Sequence, residues 1–398
     1  KVLSIVDPEE GDNRGRAISV LVDGAGSMID LSSLTSFLDR SPDQAHGFTG
    51  MSSMTASNEG TIQSPQLKTL SSVQLNLNGS GVLPIQQIEK LTFGGIVASG
   101  SYTFPNLTDI TWSTITLNSG TATFPVASQV DGASFIVNSG TLSLPAAQRY
   151  SHTSGARIND LVFRASGSSS ILDLSNLTTI VGGSDANDQL GIEALDGGEI
   201  RLGQVSSIMD SDVGNTVGRA ISLRADGENS KIDLSLLTTF HDWNPDSSWD
   251  RIGMSSMTVA NQGTIQSPRL KTLVSVQLNL NGSGVLPIHQ IEKLTFGGIV
   301  ASGSYTFPNL TDITWSTITL NSGTATFPVA SQVDGASFIV NSGTLSLPAA
   351  QRYSHTSGAR INDLVFRSSG STSVLDLGNV TTIAVSYTHL TLPTNREV

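Results

Sequence analysis

Four aspartates in this chain occupy one recurring position, the middle of an apolar–x–apolar triplet: Asp30, Asp173, Asp233 and Asp376. In an extended strand alternate side chains point to opposite faces, so if the flanking apolar residues turn inward these carboxylates turn outward. Acidic residues on neighbouring strands could serve as acid and base on a polysaccharide. The same column in consecutive segments, however, reads Asp173, Arg201, Asp233. An arginine between two aspartates makes an alternating surface charge stack, worth about 0–1 kcal/mol per pair, and that structural reading is the one expected.

Other residue types invite the same comparison of chemical and structural roles. Ser101, Thr103, Thr121, Thr123, Thr141 and Ser143 form hydroxyl pairs two and four residues before successive prolines. Serine and threonine are also good exposed-strand residues. Residues 38–50 and 241–253 occupy equivalent positions yet share only Asp39/Asp242, Pro42/Pro245, Asp43/Asp246 and Gly50/Gly253, while their surroundings are nearly identical. The second of these inserts carries Trp243, Asp246, Trp249 and Asp250. Aromatic rings flanking an acidic turn can stack on a sugar, and loops on a rigid scaffold are where binding residues concentrate; the structural alternative is a loop burying its own tryptophans. A glycan or protein partner, if there is one, is expected at these inserts.

Asp210-x-Asp212-x-Gly214-Asn215 and Asp185-x-x-Asp188 offer oxygen ligands to calcium. Calcium needs six to eight oxygens, and neither the EF-hand loop nor the RTX nonapeptide occurs, so acidic turns are expected and no cofactor or metal. His46, His152, His241, His289 and His355 are scattered singly. No G-x-S-x-G, H-E-x-x-H or phosphate loop is present. Asn78, Asn106 and Asn176 begin glycosylation sequons, which a chain this rich in Asn, Ser and Thr produces by chance.

The elements that hold these residues come from repetition. Residues 87–164 recur without change as residues 290–367, an offset of 203, and a looser match runs from Ser4/Ser207 to Ile180/Ile383. Within each large unit Pro65, Pro84, Pro105, Pro125 and Pro145 mark a shorter period, each preceded five residues earlier by Gly60, Gly79, Gly100, Gly120 or Gly140. The apolar pattern Tyr102-x-Phe104-Pro-x-Leu107-x-x-Ile110 repeats around them. Alternation signals strands, glycine a turn needing positive φ or no side chain, and proline the end of a ladder. A second strand lies upstream, as in Ile115-Thr-Leu117 and Phe135-Ile-Val137. Such a coil of roughly 20 residues cannot bury its apolar side chains alone, so stacking must supply the core. About fifteen coils at about 4.8 Å each make a rod on the order of 70 Å long. Phe104, Phe124 and Leu144 should stack inside it.

Composition narrows the function classes. Only 14% of the 398 residues are charged and the net charge is −12, which argues against a nucleic-acid partner, since phosphate binding needs clustered Lys and Arg. No apolar run is long enough to span a membrane. With no cysteine there is no disulfide and no thiolate metal site.

The pattern as a whole resembles the repetitive β-helix regions of large secreted bacterial surface proteins and adhesins. The resemblance covers nearly the whole chain and implies a right-handed parallel β-helix, extracellular or at the cell surface, serving as stalk or adhesive spacer without catalysis. The carboxylate column is similar to the acidic sites of β-helix polysaccharide lyases and hydrolases, and the hydroxyl pairs to the T-x-T arrays of ice-binding solenoids; these are the alternatives. A leucine-rich-repeat solenoid is a further fold alternative, because Leu83-Pro-x-x-x-Ile88-x-x-Leu91 resembles the convex half of that repeat. Residues 385–394, VSYTHLTLPT, resemble the translation of a transposase-type sequencing adaptor. The expected organisation is therefore the end of a preceding coil at 1–14, large repeats at 15–217 and 218–384 in one continuous solenoid, and an adaptor-derived tail at 385–398, in an assembled environmental fragment. Strand edges left at the ends should favour end-to-end self-association.

Overall fold

The computed structural model describes residues 1–8, 16–40, 50–77, 79–153, 160–211, 213–215, 217–243, 253–355 and 364–385. Among these residues there is no helix, and hence none long and apolar enough to cross a membrane. The strands pair in parallel, each with its counterpart one coil earlier and one coil later. One coil reads Ser52–Ser57, then Thr61–Gln63, then Thr69–Ser71, after which Val73–Leu77 lies directly on Ser52–Ser57. The chain thus winds round three faces, an all-β parallel solenoid that is not a closed barrel. The leucine-rich-repeat alternative fails here, because the element after the proline is another strand, with no helix or 3₁₀ segment among the described residues.

Alternation explains the core. On the first face Ile96, Ile115, Phe135, Phe163, Ile192 and Leu223 stand opposite one another coil by coil. Each is buried, within one apolar cluster that runs from Val22 to Tyr353. The expected stack is present as well: the Phe104 and Phe124 rings lie 4.9 Å apart at 14°, and Leu144 is fully buried with them. The second copy repeats it with Phe307 and Phe327 at 5.1 Å. Burying one such side chain is worth about 1.5–3 kcal/mol, so the long columns, rather than any one coil, hold the fold.

The bend between the first and second faces depends on Gly100, Gly120 and Gly140, all at positive φ. A Cβ on Gly120 would stand 2.1 Å from the Gly100 carbonyl oxygen, and one on Gly140 2.0 Å from that of Gly120. The bend between the second and third faces is a β-turn with proline as its second residue, as where the Ala127 N–H donates to the Phe124 carbonyl at 3.3 Å. Asn106 Nδ2 donates to the Gln86 carbonyl at 2.7 Å and so ties one such turn to the coil below.

Length varies at the third corner, between the third face and the next coil. Compact coils turn it with one left-handed residue: Ser72, Phe93, Trp112 or Gly132, with φ of 52–58°. Longer coils expand it, at residues 182–188 and 211–219 and at both inserts. The faces must stay in register for their ladders, so a corner is where extra residues fit. Pairing continues across the junction of the two large repeats, with Asp210 opposite Asp242 and Leu190 opposite Ile221. Ser4–Asp7 pairs with Ser36–Asp39 as a third-face strand, and Thr382–Val385 with Arg352–His355. The ladder therefore reaches the first residue of the adaptor-like segment; residues 386–398 lie outside the described ones.

Candidate functional site

The four outward aspartates are turn caps. Asp173 and Asp233 each accept the backbone N–H of the residue two positions on, Ser175 and Ser235, at 3.1 Å. Asp30 does the same for Ser32 at 2.9 Å and Asp376 for Gly378 at 3.0 Å. This is the aspartate-centred turn that such a side chain makes with its own backbone. The Asp-Leu-Ser spacing of the first three carried the signal. Asp173, Arg201 and Asp233 do align on consecutive coils. The arginine, however, leans one way: Nη1 lies 3.6 Å from Asp173 and Nη2 3.0 Å from Glu199 of its own strand. The column is a partly exposed charge ladder, with its carboxylates already engaged.

The hydroxyl rows are in register, Ser101 beside Thr121 beside Thr141, and Thr103 beside Thr123 beside Ser143. They sit on the outward side of the second face, partly or fully exposed. Ser143 and Thr123 approach to 3.4 Å. The next coil replaces the pair with Ile171 and Asp173, so the rows end there and resume only in the second copy.

Of the insert residues, Trp243 is described; Asp246, Trp249 and Asp250 lie outside the described residues. Trp243 is 46% exposed and stacks on His241, ring centroids 3.8 Å apart at 24°. Burial holds the His241 imidazole below its ordinary pKa, which favours the neutral ring. An exposed indole backed by a second ring at the root of a loop offers a flat apolar face to a ligand.

At the root of each insert a shared aspartate has a role that the sequence did not reveal. Asp39, 1% exposed, accepts the Ser52 backbone N–H at 3.0 Å and its hydroxyl at 2.7 Å. Asp242 accepts the Ser255 N–H at 2.9 Å, and the Ser255 hydroxyl accepts the Ile221 N–H at 2.9 Å. One buried carboxylate therefore clamps the exit of each insert to its entrance. The aspartate shared by two otherwise divergent inserts was the available signal.

The acidic turns suggested for calcium are likewise occupied by protein groups. Asp188 accepts the N–H groups of Ser184 and Asp185 at 3.0 and 2.8 Å, and Asp210 is buried beside Arg219. Asp212 lies outside the described residues. Among the described residues no group of three or more His, Cys, Asp or Glu is arranged to hold a metal ion.

On the first face, Asp160, Val162, Arg164, Gln189, Glu193 and Ser222 border a groove of about 410 Å³. Its floor dips where Gly191 has no side chain, and the Arg164 Nε donates to Glu193 Oε2 across it at 2.7 Å. Comparison of the chain with protein-family models, with curated proteins and with solved structures gives no match.

Proposed function

We propose that this chain is a rigid stalk or adhesive spacer of a secreted or surface-anchored bacterial protein, a right-handed β-helix of about fifteen coils without catalysis of its own. The observation that carries the reading is continuity: parallel register and one apolar core persist from coil to coil, across the junction between the large repeats. Right-handed winding is the rule for parallel strands joined by crossovers. The outward aspartates are consumed by turns and ladders, whereas Trp243 stands half-exposed on a clamped loop root. Specificity then belongs to the inserts, with a surface glycan as the partner that an exposed indole suits. Copies associating through their end coils would lengthen the rod.

The groove supports a second reading, a carbohydrate-active enzyme, because it places Asp160 and Glu193 in one concavity. Against it, Glu193 is held by Arg164. A glycan array run beside reducing-end release from acidic and neutral polysaccharides separates the two. Trp243→Ala and Trp249→Ala should each weaken glycan binding by roughly 1–3 kcal/mol, as expected of an aromatic anchor, while Asp173→Asn with Asp233→Asn leaves it unchanged. Turnover that vanishes in Asp160→Asn or Glu193→Gln would replace the stalk by the enzyme. Neither binding nor turnover would leave the spacer and remove the adhesive role.

A further inference from the structure

One corner of the solenoid gathers ionisable groups away from water. His152, Asp188, Asp210, Arg219 and Asp242, contributed by successive coils, are each at most 2% exposed. Asp210 and Asp242 stand directly opposite each other in the parallel ladder, where neighbouring strands are about 4.8 Å apart. Asp242 holds the Ser255 N–H. Asp210 has no well-aligned hydrogen bond on either carboxylate oxygen, and its nearest cation is Arg219 Nε at 3.5 Å. That guanidinium is largely committed elsewhere: Nη1 donates to the carbonyls of Gly183 and Val213 at 2.8 Å, and Nη2 to that of Ser211.

The backbone makes room for this arrangement. A Cβ on Gly182 would lie 2.5 Å from Asp210 Oδ1, and one on Gly183 2.1 Å from Asp188 Cβ. The trio also recurs in the first copy, where Asp7 faces Asp39 and Arg16 Nη2 approaches Asp7 Oδ1 to 3.3 Å. Asp210 and Asp242 thus bring two carboxylates side by side in a dry site. Like charges at that separation do not both ionise cheaply.

We propose that Asp210 and Asp242 share a single proton, so that this corner is a proton-operated latch, tight with the proton bound and looser once it leaves. The surroundings agree. Burial and the facing Asp242 push Asp210 up from the ordinary 3.8 to about 7, with Asp188 adding to the rise, while Arg219 and the Ser211 N–H pull it back. Burial also raises Asp188. His152 is lowered by burial, against the pull of Asp188, Asp131 and Asp185.

The signs are opposite for the two kinds of group. Asp210 is raised in the fold, so its contribution is complete below about pH 4, is lost as pH rises through about 7, and is constant above. His152 is depressed, so its contribution is present above the ordinary 6.5 and lost as pH falls. Comparing the whole chain with Asp210→Asn isolates the first from the second.

The measurement is hydrogen-exchange protection between pH 5 and 8.5 at Gly182, Asn187 and Asn215, whose N–H groups bond Met209, Val217 and Ser184 across this corner. Protection in the native chain relative to Asp210→Asn should fall by up to about tenfold per pH unit, levelling off above about 7. Parallel profiles would overturn the latch. If the variant does not fold, the infrared difference spectrum of the native chain between pH 6 and 9 decides: loss of a buried carboxylic-acid band supports the shared proton, and its absence overturns it.

Discussion

Asp39 and Asp242 show how a single residue sets what a loop can do. Each is buried at the point where a strand gives way to an insert, and each receives the N–H of the serine that opens the next coil. An uncompensated buried N–H costs about 1–3 kcal/mol, so Asp242→Ala should lower stability by that order, measured by denaturant titration. Asp242→Asn, which keeps an acceptor oxygen, should lose much less. Equal losses in the two variants would show that carboxylate charge, and not the acceptor, matters. The same argument reclassifies Asp30, Asp173, Asp233 and Asp376: the spacing that suggested chemistry is the spacing of a turn.

At the scale of elements, each coil is defined by how closely its bends approach the coil below. Gly120 sits against the Gly100 carbonyl at a φ of 85°, so Gly120→Ala combines backbone strain with a clash against main chain that cannot rotate away. A loss of at least the about 1–3 kcal/mol typical of overpacking is expected, read as a drop in thermal midpoint. Gly191 provides the internal control, because its Cβ would come no closer than 3.4 Å to a neighbour, Glu193 Oε1, and its φ is not positive. Gly191→Ala should therefore change stability little while filling the groove floor. If both variants behave alike, the glycine column is not what spaces the coils.

For the whole molecule the repeating unit should be removable. Excising residues 100–119 joins Ser99 to Gly120, which already occupies the position of Gly100 in the ladder. The columns then close up, with Phe124 taking the place of Phe104, and the rod should shorten by about 4.8 Å while remaining cooperative and β-rich. Small-angle scattering with circular dichroism reads both. Removing residues 100–109 instead should destroy the fold, since the strands of the second and third faces would be lost from one coil and its turns could not close. A molecule that tolerates both deletions equally would not be a registered solenoid.

Much of this architecture was legible in the sequence because a solenoid is written in local repeats. Apolar alternation placed Phe104, Phe124 and Leu144 inside, and the glycine and proline columns located two of the three bends. A period is a property of the chain alone. The third corner was not legible in this way. The segments that fill it differ in length from coil to coil, and the partners of Asp39, Asp188, Asp210 and Arg219 are separated by turns that follow no period. Sequence by itself determined that coils must stack, since no coil buries its own apolar residues. Only the tertiary structure decided which acids point to solvent and which face one another inside, because that depends on how each corner folds over the coil beneath it.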